Sequence, residues 1–167
     1  MAIAGGYPDL SSLQNAGAAT VSVRGAITYA AGTTGAIGST TLFTVTGDVL
    51  VTWLAAKCTT DLTSGGLPTW NLGVTGHTNL WTPAGAFPDA TGWDAGEWAD
   101  FAGGAAYATG GTFLDNGNSA LGAPISADIL QTIAVATITG GVVRWYLQYI
   151  PLSTGATVTR HANLAAF

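Results

Sequence analysis

Charged side chains are scarce in this chain. They make up 8% of its residues, where ordinary soluble domains carry about a quarter. The balance is acidic, with Lys and Arg totalling 4 against 9 Asp and Glu, a formal net charge of −5. The four cations, Arg24, Lys57, Arg144 and Arg160, are scattered along the sequence, which predicts no phosphate-neutralising stripe and no nucleic-acid partner. Cysteine is nearly absent too. Cys58 stands alone, so an intrachain disulfide is excluded, and it reads as a small buried residue at a strand end. Two histidines, His77 and His161, with that one thiol leave no set for a tetrahedral zinc site. No apolar run approaches the roughly 18 to 20 residues of a membrane span, so no membrane partner is expected. The opening residues, MAIAGGYPDLSSLQ, lack the basic start and apolar block of a signal peptide. The expectation is synthesis in the cytoplasm, followed by residence there or exit inside an assembled particle.

Apolar residues, by contrast, make up 48% of the 167. That is enough for one domain with a real core, and the chain is not disordered by the low-hydrophobicity criterion. With so little charge, solubility rests on Thr, Ser, Asn, Gln and Gly, or the surface is covered by neighbouring chains.

The best-patterned stretch is Thr40–Thr75, with only three charged side chains, Asp48, Lys57 and Asp61. Thr41–Thr46 and Val49–Cys58 flank Gly47-Asp48, which reads as a type II′ hairpin turn. Val49–Cys58 is apolar on both faces, with Val49, Val51 and Trp53 set against Leu50, Leu54 and Ala56. That predicts a central strand covered on both sides. Upstream, Thr20–Tyr29 alternates, with Val21, Val23, Ile27 and Tyr29 on one side and Thr20, Ser22, Arg24 and Thr28 on the other. Downstream, Thr69–Thr75 points Trp70, Leu72 and Val74 inward. Ile129–Ile138 and Val142–Ile150 flank Thr139-Gly140-Gly141 as a second hairpin, with Val143, Trp145, Leu147 and Tyr149 in one apolar stripe that Pro151 stops. These segments predict an all-β chain, a β-sandwich or jelly-roll-like barrel of about six to eight strands. Its parts are an extended N-terminal arm over 1–19, a β domain over 20–153 and a C-terminal tail over 154–167.

Chemistry is hard to place. The one lysine, Lys57, lies in a strand and not after a glycine loop, so the phosphate-cradling loop fails. The Gly-rich stretches 32–38 and 103–111 read as loops. No serine occupies a G-x-S-x-G turn, and neither histidine has a nucleophile beside it. The acidic residues Asp89, Asp94, Glu97 and Asp100 offer oxygen ligands for calcium without the spacing of a calcium loop. Asp94 with Glu97 three residues on suits a helix cap or a strand start. The same carboxylates beside Trp81, Trp93 and Trp98 are the ingredients of a sugar platform or a minor glycosidase. Large rigid aromatics are also what a core or a subunit interface uses, and that reading is favoured here. The expectation is no enzyme, no cofactor and no metal.

The strings TLFTVTGDVLVTWL, CTTDLTSGGLPTWNLGVTGHTNLW, DATGWDAGEW and TITGGVVRWYLQYIPLS, across roughly Val21–Ser153, resemble a family of tailed-bacteriophage virion proteins. That resemblance implies a β-rich auxiliary capsid component, a head decoration protein on the capsid surface. Its partners would be the major capsid protein and its own copies, as a homotrimer. Tyr7, Leu10 and Leu13 of the arm and Trp81, Trp93 and Trp98 are the candidate partner contacts. The alternatives are a tail tube or tail-tip/fibre subunit, and a carbohydrate-binding module.

Overall fold

The computed structural model describes residues 19–82, 90–100 and 123–167. Within them the chain forms two antiparallel sheets laid face to face, a β-sandwich. Sheet one contains β1 (Val21–Thr28), β8 (Ile138–Pro151), β3 (Val49–Ser64), and two short strands on the far edge of β3, β5 (Trp98–Asp100) and β6 (Ala123–Ile125). Sheet two runs β4 (Thr69–Val74), β7 (Ile129–Ala134), β2 (Gly38–Thr46) and β9 (Thr157–Arg160). The nine strands among the described residues exceed the expected six to eight. The surplus lies in β5, β6 and β9, which are too short to show a two-residue period.

The core follows that period. Val143, Trp145, Leu147 and Tyr149 of β8 are all buried, as are Trp70, Leu72 and Val74 of β4, and Pro151 is the last residue of β8. Trp145 stacks on Trp70 with ring centroids 5.5 Å apart, and Trp93 leans on Trp70 at 6.1 Å. Burying each such side chain contributes about 1.5–3 kcal/mol or more.

Neither expected hairpin forms. At Gly47-Asp48 the chain crosses from sheet two to sheet one: β2 pairs with β7 and β9, while β3 pairs with β8, β5 and β6. A hairpin would match only the short β2, whereas β8 offers β3 a ladder from Val49 to Ser64. Gly47 takes φ 70, the Asp48 amide donates to Ser153 Oγ at 2.9 Å, and the Leu152 amide donates to the Asp48 carbonyl at 2.8 Å. The crossing from β2 to β3 is thus pinned to the opposite crossing, from β8 to β9. Thr139-Gly140-Gly141 is no turn either, but lies inside β8. A Cβ on Gly141 would stand 2.6 Å from the Asp61 carbonyl oxygen, so the glycine serves close strand approach. The reversal between β7 and β8 falls at Val135, with φ 69 and the Ala136 amide donating to the Ala134 carbonyl at 2.8 Å.

Two bulges set which residues face inward. The register of β2 shifts between Thr41 and Phe43, and both Leu42 and Phe43 reach the core. The register of β3 shifts between Val51 and Trp53. Val49, Val51, Leu54, Ala56 and Cys58 therefore share the core, and Trp53, expected on the side of Val51, goes to the opposite face with Ala55 and Lys57. β3 is central, as expected, and Leu50 is buried outside the core cluster, so its first residues are covered on both sides.

The expected C-terminal tail is part of the sandwich. Beyond β9, Ala165 and Ala26 of β1 exchange both backbone hydrogen bonds, at 2.8 and 2.9 Å. Residues 161–167 form a strap from sheet two to sheet one. Gly25 makes room for it, since a Cβ there would stand 2.6 Å from Arg160 Cδ and 2.8 Å from Leu164 Cβ.

Candidate functional site

The outer face of sheet one gathers side chains that lie far apart in the sequence. Its cross-strand rows read Ser22, Gln148, Trp53; then Arg24, Tyr146, Ala55; then Ala26, Arg144, Lys57, Trp98. Three of the chain's four cations therefore share one face. Their scatter along the sequence does not carry over to the folded chain. Arg24, Lys57 and Arg144 are separated along the chain but sit on neighbouring strands, because pairing β1, β8 and β3 brings their outward positions together.

Aromatic rings interleave with these cations. Tyr146 is central, with Trp98 at 5.2 Å, Phe167 at 5.6 Å in an edge-on contact, and Trp53 at 6.4 Å. Lys57 Nζ lies 5.3 Å from the Trp98 ring centre, and the Arg144 and Arg24 guanidinium carbons lie 4.7 and 5.4 Å from that of Phe167. Each distance suits a cation–π contact, worth about 0.5–1 kcal/mol at exposed sites. Phe167 reaches this face only because the strap carries it over the edge of β1. Among the described residues, none of the three cations forms an ion pair with a carboxylate. At one end of the face a hollow of about 310 Å³ opens between Trp53 and Tyr146, lined also by Ser22, Arg24 and Gln148.

The residues singled out from sequence fare unevenly. Trp81 and Trp93 are 5% and 3% exposed, inside the sandwich, where neither offers a surface to a partner or receptor. The Trp81 amide donates to the Leu72 carbonyl on the outer edge of β4, and Trp93 closes the core beside Trp70. Trp98 stands on the cation-aromatic face. Tyr7, Leu10 and Leu13 lie outside the described residues, as does Asp89. The carboxylates of Glu97 and Asp61 serve a turn at Asp94: Glu97 Oε2 accepts from the Asp94 amide at 3.0 Å, and Asp61 Oδ1 accepts from the Ala95 amide at 2.7 Å. That turn, with Gly96 at φ 98, leads into β5, so the strand start prevails over the helix cap. His77 bridges back to Val74 in the loop after β4, and His161 Nδ1 accepts from the Asn163 amide within the strap.

Sequence reasoning passed over Trp53, Tyr146, Arg24, Arg144 and Phe167. Their signal was faint: a basic residue at alternate positions in β1 and β8, and one ring two places from Arg144. The bulge after Val51 has no signature that would have moved Trp53 outward.

Compared with protein-family models, with curated proteins and with solved structures, the chain matches none.

Proposed function

We propose that the chain is a structural protein of a tailed-bacteriophage virion, a head decoration protein that binds the outside of the capsid and stabilises its shell. The virion assignment is supported by the sequence resemblance across roughly Val21–Ser153. The choice among virion roles is supported by one structural observation, the way the sheet edges end. A tail-tube subunit extends its sheets into its neighbours and needs long open edge strands. Here β9 is four residues long. The outer edge of β4 is occupied by the Trp81 amide and the Thr82 hydroxyl at Leu72, and β1 is bridged by the strap at Ala26. Short or covered edges block strand addition. Association then proceeds through faces and loops, as suits a homotrimer seated on the major capsid protein at three-fold or quasi-three-fold positions.

The experiment is a count. Quantitative mass spectrometry of purified particles is expected to find hundreds of copies per virion, with a reconstruction placing them on the head. Six copies or fewer, or density on the tail, overturns the decoration reading.

A further inference from the structure

We propose that the hollow between Trp53 and Tyr146 binds an anionic saccharide, a pyranose ring carrying a carboxylate. This goes beyond the virion role and does not depend on it.

The shape comes first. A volume of about 310 Å³ falls at the low end for small-ligand sites. It suits one or two sugar rings and is too small for a protein helix or strand. Its lining includes two aromatic side chains, Trp53 and Tyr146, whose rings contact each other with centroids 6.4 Å apart and an inclination of 41°, so a sugar packs against them and not between them. A pyranose presents a flat C–H face to such a ring and directs its hydroxyls outward around the rim. Ser22, Gln148 and Tyr146 are among the lining residues, and their side chains can between them donate and accept.

Charge then selects among sugars. Arg24 lines the hollow, and Arg144 shares the Phe167 ring with it. Lys57 stands on the same face. A chain with net charge −5 thus concentrates three cations on one face. An anion seated there relieves their mutual repulsion, and a guanidinium fork matches a carboxylate in particular. A neutral sugar leaves that field uncompensated. A single-stranded nucleic acid needs a longer cationic track than three residues supply.

The test is titration of the purified full-length protein, followed by calorimetry and tryptophan fluorescence. The probes are an oligogalacturonate, N-acetylneuraminic acid, neutral maltotriose and a dT oligonucleotide. Saturable binding of at least one carboxylated saccharide is expected, at least tenfold tighter than maltotriose and weakened by added salt. Which of the two binds distinguishes a uronate from a sialic-acid source. Trp53→Ala and Arg24→Gln should each weaken binding at least tenfold. Arg24 is solvent-exposed, so Arg24→Gln keeps the fold and remains informative if Trp53→Ala does not. The proposal is overturned if neither carboxylated saccharide saturates, if maltotriose binds equally well, if Arg24→Gln binds like the parent, or if the oligonucleotide is preferred. All of this is read on isolated protein, so its failure is separate from a failed copy count on particles.

Discussion

Tyr29 donates its phenolic hydrogen to Gln131 Oε1 at 2.7 Å in the closed space between the two sheets. The same oxygen accepts from Trp70 Nε1 at 3.2 Å, and the Gln131 amide nitrogen reaches the Thr34 carbonyl at 3.4 Å. One fully buried glutamine of β7 thus serves the end of β1, the start of β4 and the loop before β2. A buried donor left without its acceptor costs about 1–3 kcal/mol. Gln131→Leu takes the acceptor from the Tyr29 hydroxyl and is expected to lower unfolding free energy by about 1–3 kcal/mol in urea titrations. Adding Tyr29→Phe should restore part of that loss, since it removes the donor left without its acceptor. An additive loss would show that the hydrogen bond is not the cause.

Stability should fall in alkali. Burial pushes the Cys58 thiol from its ordinary 9.0 up to about 11, helped by the carboxylates of Asp61, Asp94 and Glu97 and opposed by the thiol's contact with the Thr60 carbonyl. Burial also pushes the Tyr29 phenol well above its ordinary 10.0. Both groups keep their protons longer in the folded state, so above pH 9 the unfolded chain binds fewer protons and unfolding gains with each step in pH. Unfolding free energy should be insensitive to these two groups below about pH 8 and decline from pH 9 to 11. Cys58→Ala should flatten the first part of that decline. In native protein at pH 8, iodoacetamide should leave Cys58 unmodified until denaturant is added.

The strap depends on a missing side chain. Gly25→Val places a branched Cβ against Arg160 and Leu164, and overpacking of this kind costs about 1–3 kcal/mol. Residues 161–167 should then exchange amide hydrogens faster, measured by mass spectrometry, while the β3–β8 ladder stays protected. Unchanged exchange in the strap would show that it is held without this fit.

Val51 faces the core at 1% exposure, and a carboxylate there has no partner. Val51→Asp is expected to cost more than about 4 kcal/mol and abolish recovery of soluble, cooperatively folding protein. Thr46→Asp, at an exposed position on β2, should stay within about 0.5 kcal/mol of the parent. Equal behaviour of the two would place Val51 on the wrong face.

Val135 is a β-branched residue held at φ 69 with its side chain 74% exposed. The left-handed region costs an L-residue about 1–2 kcal/mol, and the exposed valine gains little packing in return. Val135→Gly should raise the thermal midpoint by a few degrees, equivalent to about 0.5–1 kcal/mol after the added entropy of glycine. A lowered midpoint would mean that the isopropyl group supports the turn.

Strand content was readable because alternation is a local property. β1, β4 and β8 each carry their inward stripe in their own residues, and β3 announces a central position by lacking a polar face. The mistakes share a cause. Gly47-Asp48 and Thr139-Gly140-Gly141 have the composition of hairpin turns, but composition near a turn cannot weigh a long distant partner against a short near one. Trp81 and Trp93 were assigned to the surface because they lie in an irregular region. Irregular backbone can still bury its rings, as Trp93 does against Trp70.

The all-β class and the buried stripes of single strands were thus decided by the order of residues alone, since a two-residue period needs no knowledge of the partner strand. The cation-aromatic face was decided only on folding. Arg24, Trp53, Arg144, Tyr146 and Phe167 come from three strands and a strap. They become neighbours only once β8 lies between β1 and β3, a bulge has moved Trp53 outward, and Gly25 has let the strap pass. Each of those steps is a contact between residues distant in sequence, and no local pattern encodes it.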